Sequence, residues 1–248
     1  GEDTLSLHDA LPICAGTGGE MEQENSMDQA KSAILQAALG HAPFDGWSEA
    51  TLTAALADSG VAPALGRALF PRGGIDLAVA YHRMGDRAMA ATLAAADLSA
   101  LRYRDRVALA VKLRLQAADK ELVRRGSTLF SLPQHSLEGA RLVWESADAI
   151  WTALGDSSRD LNWYSKRATL SAVYGATVLF WLGDHSDDNA DTWAFLDRRI
   201  DNVMSFEKTK AALRENPLAK ALINGPLKFL DRIHAPQPPH DLPGKTEH

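Results

Sequence analysis

The sequence has little of what builds a covalently linked, metal-held or membrane-spanning protein. Its one cysteine, Cys14, cannot form an internal disulfide or a cysteine zinc site. Its most apolar stretch, residues 170–182, is too short to cross a bilayer as a helix. The net charge of −6 argues weakly against binding to nucleic acid. These absences leave a globular protein of one or two domains, and the lack of a signal-peptide pattern predicts a cytoplasmic one.

Residue patterns for catalysis are missing as well. The eight histidines show no spacing typical of metal ligands on a helix. Asp184, His185 and Ser186 are the residue types of a catalytic triad, but neighbours in one loop do not provide triad geometry. The sequence therefore predicts a protein that is not an enzyme and that binds neither metal nor cofactor.

What is present is helix. Alanine and leucine are abundant, and apolar residues recur with a period close to 3.6, which predicts an all-α fold. Gly and Pro divide the pattern. The predicted helices span residues 28–39, 48–60, 63–70, 75–95, 103–124, 136–154, 161–182, 191–208 and 217–233. Residues 1–26 lack any period and are interpreted as a non-native or disordered leader, and the Pro-rich residues 235–248 as a disordered tail.

The first three helices, within residues 27–74, have the order of a helix-turn-helix unit. Ser48 is a good N-cap for the second helix, and Pro63 suits the first turn of the third. Six apolar residues are expected to form its core: Leu52, Ala55, Leu56, Val61, Leu65 and Leu69. A DNA-reading third helix needs several basic side chains, whereas this one has only Arg67. The unit is therefore predicted to be structural, with a TetR-type transcriptional regulator with a hydrophobic effector as the alternative.

The most specific pattern consists of two blocks about thirty residues apart. The first is Asn162-Trp163-Tyr164 followed by Lys166-Arg167, and the second is Thr192-Trp193 followed by Phe195-Leu196 and Arg198-Arg199-Ile200. Together they resemble the "Coq nine" family, the TetR-like accessory proteins of coenzyme Q biosynthesis. The resemblance extends from about residue 27 to 233.

The resemblance implies a fold and a function. The fold is a TetR-like all-α one, with the helix-turn-helix unit followed by a helical lipid-binding and dimerisation domain at residues 75–209. The function is that of a non-catalytic homodimer that binds isoprenoid quinone intermediates. It presents them to a late-step, demethoxyubiquinone-type hydroxylase at the membrane. For a bacterial member this implies a peripheral place at the inner membrane. By analogy with TetR-like folds, the dimer interface is expected within residues 161–208.

Three sets of site residues are predicted. The resemblance places the hydroxylase-binding patch at Ile150, Leu154, Asp160, Trp163 and Tyr164. Adjacent helix positions point in different directions, so Trp163 and Tyr164 cannot both be core residues, and exposed aromatic residues often anchor a partner. Six apolar residues of the bundle are candidates to line a lipid cavity, with ordinary core packing as the alternative for each. They are Trp144, Trp151, Leu170, Tyr174, Trp181 and Phe195.

The third set lies near the chain end. Residues 208–233 carry six basic side chains against two acidic ones, together with an apolar face. This predicts an amphipathic membrane-associating helix at residues 210–234 that binds an anionic surface, with packing on its own domain or on a dimer mate as the alternative. The membrane-binding residues are predicted to be Leu218, Leu222, Leu227, Phe229, Leu230, Lys220 and Lys228.

Overall fold

The computed structural model describes the backbone of residues 17–159 and 161–215, and side chains within residues 23–159 and 162–203. Helices are the only regular secondary structure in these ranges, which confirms the predicted all-α class. They are α1 Thr17–Asp45, α2 Glu49–Ser59, α3 Pro63–Leu69, α4 Gly74–Ala95, α5 Tyr103–Gln116, α6 Lys120–Phe130, α7 Ser136–Ala153, α8 Leu161–Leu182 and α9 Ala190–Glu215. A 3-10 turn, Asp187–Asn189, precedes α9.

The chain divides into two compact units, the first ending at Leu77 and the second beginning at Ala78. In the first unit, the Ser48 side chain accepts a hydrogen bond from the backbone N–H of Thr51, so the predicted N-cap of α2 is confirmed. Gly66 of α3 is buried where an added Cβ would lie 2.0 Å from Leu56 Cδ2. This close approach of α2 and α3 therefore requires a glycine.

The core of the first unit differs in part from the predicted one. Leu52, Ala55 and Leu56 are buried as expected. Val61 and Leu69 are only half-buried, and Leu65 is 42% exposed. The expectation for Leu65 was wrong because α3 turns Gly66, not its larger neighbour, towards Leu56.

Helix boundaries were predicted well except in three places. The expected helix over residues 103–124 is two helices, because Asp119 accepts hydrogen bonds from the backbone N–H groups of Glu121 and Leu122 and so caps α6. The first helix was expected to end before Pro43 but continues to Asp45, and it begins at Thr17, inside the predicted leader. At the other end, α9 continues to Glu215, past residue 208, where the helix was expected to end.

The core of the second unit is built by α4, α5, α7, α8 and α9. Its buried side chains include Met89, Val111, Ile150, Tyr174 and Leu196. The four helices α5, α7, α8 and α9 also enclose the groove described below. The bundle thus provides both a solid core and an opening at its side.

Candidate functional site

Three aromatic side chains meet at the start of α8. The ring of Trp163 lies edge-on to Tyr164, with the ring centres 4.8 Å apart, and tilted to Trp144 of α7 at 6.1 Å. All three residues are half-buried. Each of the three residues is therefore partly exposed, and we call Trp144, Trp163 and Tyr164 the aromatic cluster.

The aromatic cluster lies on a charged support. The Arg167 guanidinium packs 4.0 Å from the ring centre of Trp163 and bonds to Asp148 and Asp156. Lys166 donates to the Asp156 carboxylate and to the Ser158 hydroxyl, both at 2.7 Å. Burial alone would raise the pKa of Asp156, but the hydrogen bonds from Lys166, Ser158 and Arg167 outweigh it and lower the pKa to about 2. The loop after α7 is thereby fixed to the first turns of α8.

The structure separates the predicted patch residues. Leu154 is half-buried at the end of α7. Ile150, in contrast, is fully buried in the core, where a partner cannot contact it. Its inclusion in a surface patch is therefore corrected: one turn before Leu154, it faces the bundle. Asp160 lies outside the described residues.

A groove of about 230 Å³ opens between α5, α7, α8 and α9. Of the six predicted cavity residues, Trp151 and Leu170 line it. Tyr174 and Trp181 are instead buried core residues, Trp144 belongs to the aromatic cluster, and Phe195 stacks on Phe180 at 4.5 Å. Tyr174 and Trp181 are thus packed in the core, which was the alternative to a cavity wall, whereas Trp144 and Phe195 are half-buried.

Sequence reasoning missed the α5 and α9 walls of this groove. Tyr103 and Val107 line it from α5, and Ile200 and Val203 line it from α9. The Tyr103 ring stacks on Trp151 with the centres 5.7 Å apart and is still 45% exposed. The sequence shows only a tyrosine at the start of a predicted helix. Without the fold, that tyrosine does not indicate a groove.

The groove changes character along α8. Its α8 wall carries Asn162, Ser165, Lys166 and Thr169 first, and Leu170 and Val173 next. With a rise of about 1.5 Å per residue, this wall is about 16 Å long. The polar half begins beside Trp163, so the groove and the aromatic cluster share the first turns of one helix.

The predicted membrane-binding residues lie outside the described residues. These are Leu218, Leu222, Leu227, Phe229, Leu230, Lys220 and Lys228. Of the helix expected at residues 210–234, only the backbone up to Glu215 is described, and it continues α9. None of the described helices has the length and hydropathy that crossing a bilayer requires.

The described ranges offer neither a metal site nor a free basic surface on α3. No group of three or more His, Cys, Asp or Glu side chains there is arranged to hold a metal ion. On α3 the one basic side chain, Arg67, bonds to Glu49 at 2.5 Å. A phosphate would therefore have to displace a carboxylate from Arg67.

Comparison with known proteins gives one consistent result. The COQ9 family model matches residues 137–207, which include α7, α8 and the groove residues on them. The human mitochondrial ubiquinone biosynthesis protein COQ9 is 28% identical over 90% of this chain and 72% of its own length. A probable ubiquinone biosynthesis protein from Dictyostelium discoideum, coq9, is 30% identical over 75% of this chain and 63% of its own length.

One solved structure shows the fold. The TetR transcriptional regulator from Nitrosomonas europaea superimposes with a TM-score of 0.54 at 20% identity, covering 69% of this chain and 95% of the regulator. The predicted TetR-like fold is thereby confirmed. At this identity the likeness concerns the fold alone.

Proposed function

Because the chain is a relative of the COQ9 family over most of its length, we propose that it serves ubiquinone biosynthesis as a non-catalytic accessory protein. In this proposal it binds an isoprenoid quinone intermediate in the groove and presents it to a late-step hydroxylase of the demethoxyubiquinone type. The main observation that supports this proposal is that the groove and the aromatic cluster both lie at the first turns of α8. A lipid leaving the groove there would emerge next to a protein docked on the aromatic cluster.

The groove suits one end of a long lipid. Its apolar walls, from Val107, Leu170, Val173 and Ile200, match an uncharged prenyl chain. Its volume of about 230 Å³ is below the ~300–1,000 Å³ of pockets that enclose a whole drug-sized ligand. We therefore propose that the ring and first isoprene units enter, while the rest of the tail stays outside.

The hydroxylase is proposed to dock on Leu154, Trp163 and Tyr164. Partly exposed Trp and Tyr side chains are favoured as interface anchors because they bury a large area at low entropic cost. Asp160, which the family resemblance adds, is three residues before Trp163 in the sequence. Residues 210–234 are proposed to hold the protein at an anionic membrane surface, where both lipid and hydroxylase would be met.

A second copy of the chain is the remaining proposed partner. On α8, Leu179 is 70% exposed and Phe180 is 37% exposed. Phe180 stacks on Phe195 of α9, and the Arg199 guanidinium lies 5.2 Å from that ring. This exposed apolar face lies within residues 161–208, the predicted dimer interface.

Hydroxylase binding tests the patch. The purified protein, the Trp163→Lys, Tyr164→Lys and Leu154→Lys variants and the hydroxylase of the same organism would be measured by surface plasmon resonance. Because Trp163 also covers Arg167, circular dichroism must show that each variant is folded. Leu137→Lys is the matched control, since Leu137 is 83% exposed at the other end of α7. We expect at least tenfold weaker binding for the patch variants alone, and equal binding by all variants would refute the patch.

Lipid extraction tests the groove. Mass spectrometry of an organic extract from the purified protein is expected to find isoprenoid quinones or their precursors. Thr169→Phe should fill the groove and remove them, because Thr169 lines it. Ala168→Phe adds the same ring at the preceding position, which is exposed and does not line the groove. Loss of lipid in both variants, or in neither, would contradict binding in this groove.

A further inference from the structure

We propose that a second cleft of the chain binds a small zwitterion, a molecule of the α-amino-acid type with one carboxylate and one ammonium group. This cleft, which we call the polar cleft, has a volume of about 390 Å³ and lies between α5 and the 3-10 turn with the start of α9. Its lining residues are Lys112, Gln116, Asp188, Asn189, Ala190 and Trp193, and none of them lines the groove. A ligand of the polar cleft would therefore bind at a site separate from the proposed lipid site.

The cation of the polar cleft is the ammonium group of Lys112. Its Nζ atom lies 5.1 Å from the centre of the Trp193 ring, and Lys112 is half-buried. Among the described residues, Lys112 makes no side-chain hydrogen bond and no ion pair, whereas Lys120 donates to Asn189 and to a backbone carbonyl. The three N–H donors of Lys112 are therefore available to a ligand, and a carboxylate can accept them as charge-assisted hydrogen bonds.

The anion of the polar cleft is the Asp188 carboxylate. Asp188 is exposed, and within the described ranges its carboxylate makes neither an ion pair nor a hydrogen bond. It lines the same cleft as Lys112 without bonding to it, so the cleft presents separate charges of both signs. Asp188 would repel a simple anion such as phosphate, and Lys112 would repel a simple cation. A molecule that carries both charges can pair with both side chains.

The turn that carries Asp188 has an unusual backbone conformation. The φ angles of Asp188 and Asn189 are 52° and 57°, in the left-handed region that residues other than glycine seldom adopt. Two hydrogen bonds of 2.8 Å hold this turn: Lys120 donates to the Asn189 side chain, and the Trp193 indole N–H donates to the Asp188 carbonyl. Backbone in such sparsely populated regions clusters at functional sites. Because the turn and the Trp193 ring are fixed before a ligand arrives, less entropy is lost on binding.

The remaining lining groups suit a small polar ligand. Gln116 is exposed, and its amide offers a donor and an acceptor that no hydrogen bond to a described residue uses. The Trp193 ring packs against the core and gives the cleft an apolar wall. The volume of about 390 Å³ lies within the ~300–1,000 Å³ of small-molecule sites. The aliphatic side chain of an amino acid can lie on Trp193 while its charged groups reach Lys112 and Asp188.

Three probes of matching size test the requirement for both charges. Norvaline carries a carboxylate and an ammonium group, pentanoate has the same carbon chain without the ammonium, and butylamine lacks the carboxylate. Each probe is titrated into the full chain labelled with nitrogen-15, and the shift of the Trp193 indole N–H signal gives the dissociation constant. We expect norvaline to bind about three- to fivefold more tightly than either other probe, because a partly exposed ion pair contributes a factor of about this size.

Two variants assign the charges of the ligand to side chains. Lys112→Met removes the ammonium, so norvaline should then bind no better than butylamine. Asp188→Asn removes the negative charge and keeps a residue that tolerates the left-handed conformation, so norvaline should then bind no better than pentanoate. Asp187→Asn is the matched control for the turn, because Asp187 is exposed but does not line the cleft. Lys31→Met, at an exposed position of α1, is the control for Lys112.

The melting temperature of each variant shows whether the fold is retained. Equal binding of norvaline and pentanoate by the wild type would indicate a simple anion site and would overturn the proposal. A preference for norvaline over pentanoate that persists in Asp188→Asn would overturn it as well, and so would the absence of any shift of the Trp193 signal. The lipid content of the variants is expected to equal that of the wild type, since Lys112 and Asp188 do not line the groove.

Discussion

The guanidinium of Arg167 packs against Trp163 on one side and binds two carboxylates on the other. Its carbon lies 4.0 Å from the centre of the Trp163 ring, and its nitrogens bond to Asp148 and Asp156. Arg167 is 2% exposed, and the Asp156 side chain is 3% exposed. A buried ion pair of this kind supports the half-buried Trp163 ring and thereby couples the stability of the unit to the shape of the proposed docking surface.

Replacing Arg167 by methionine tests this coupling. Asp156 would lose one of its two cationic partners in a buried position, which costs about 3 kcal/mol in the free energy of unfolding. The Trp163 ring would also lose its support, so hydroxylase binding should weaken. Urea denaturation and plasmon resonance measure the two effects. The control is Arg141→Met: the Arg141 side chain is 66% exposed, and its pair with Glu145 should contribute less than about 1 kcal/mol. Equal losses in both variants would contradict the structural role of Arg167.

The helices were predictable because their signals are local. Ser48 caps α2, and Pro63 occupies the first turn of α3, as expected from their types and positions. The break between α5 and α6 was not predictable from apolar periodicity, since Ala117 and Ala118 are good helix formers. It is stabilised by a distant partner: the backbone N–H of Asp119 donates to the Tyr81 hydroxyl at 2.8 Å.

Gly85 provides a test of a second buried ion pair. An added Cβ at Gly85 would lie 2.4 Å from Arg114 Nη1. Arg114 cannot move away easily, because it is buried and donates to Asp86 at 2.6 Å and to the His82 carbonyl at 2.8 Å. Gly→Ala inside a helix normally adds up to about 1 kcal/mol of stability. At position 85 we expect the opposite sign, a loss of about 2 kcal/mol from overpacking.

Gly175→Ala in α8 is the matched control for that substitution. Its nearest neighbour would be Val143 Cγ1 at 3.8 Å, an ordinary van der Waals contact. This variant should be unchanged or slightly more stable in urea denaturation. If Gly85→Ala were also stabilising, Arg114 would not be held as tightly as the geometry indicates.

His82 makes the stability depend on pH. Burial, followed by the positive charge of Arg114, lowers its pKa from 6.5 to about 4, although Asp86 and Glu145 act in the opposite direction. Between pH 6.5 and pH 4, His82 therefore binds a proton in the unfolded chain but not in the folded chain. The contribution of neutral His82 to the free energy of unfolding is fully present above pH 6.5 and is lost as the pH falls towards 4.

Between pH 7.5 and 5.0 this amounts to about 2 kcal/mol of unfolding free energy. Urea denaturation at the two pH values measures it. His82→Gln should have a lower stability at pH 7.5 but a smaller difference between the two values. His185→Gln, at an exposed position, is the control and should keep the wild-type difference. An unchanged difference in His82→Gln would rule out His82 as its source.

The candidate site was less predictable than the fold. Adjacent aromatic residues at a helix start indicate a surface feature, and Trp163 and Tyr164 do both reach the surface. The groove could not be predicted in the same way, because its position depends on how four helices pack and where they leave a gap. Of the large apolar residues, Tyr174 fills the core while Trp151 lines the groove. The apolar periodicity predicts that both side chains face the interior of the bundle, so it cannot distinguish a core residue from a groove residue.

The exposed end of α8 tests the proposed second copy of the chain. Leu179 is 70% exposed, so its replacement by glutamate costs the isolated chain little but would place a charge in an apolar interface. We expect sedimentation velocity to show a dimer for the wild type and a monomer for Leu179→Glu at the same concentration. Leu137→Glu changes a leucine on α7 that is 83% exposed, and this variant should remain dimeric. If Leu179→Glu remained dimeric, or if Leu137→Glu dissociated the dimer instead, the interface would not lie on α8 and α9.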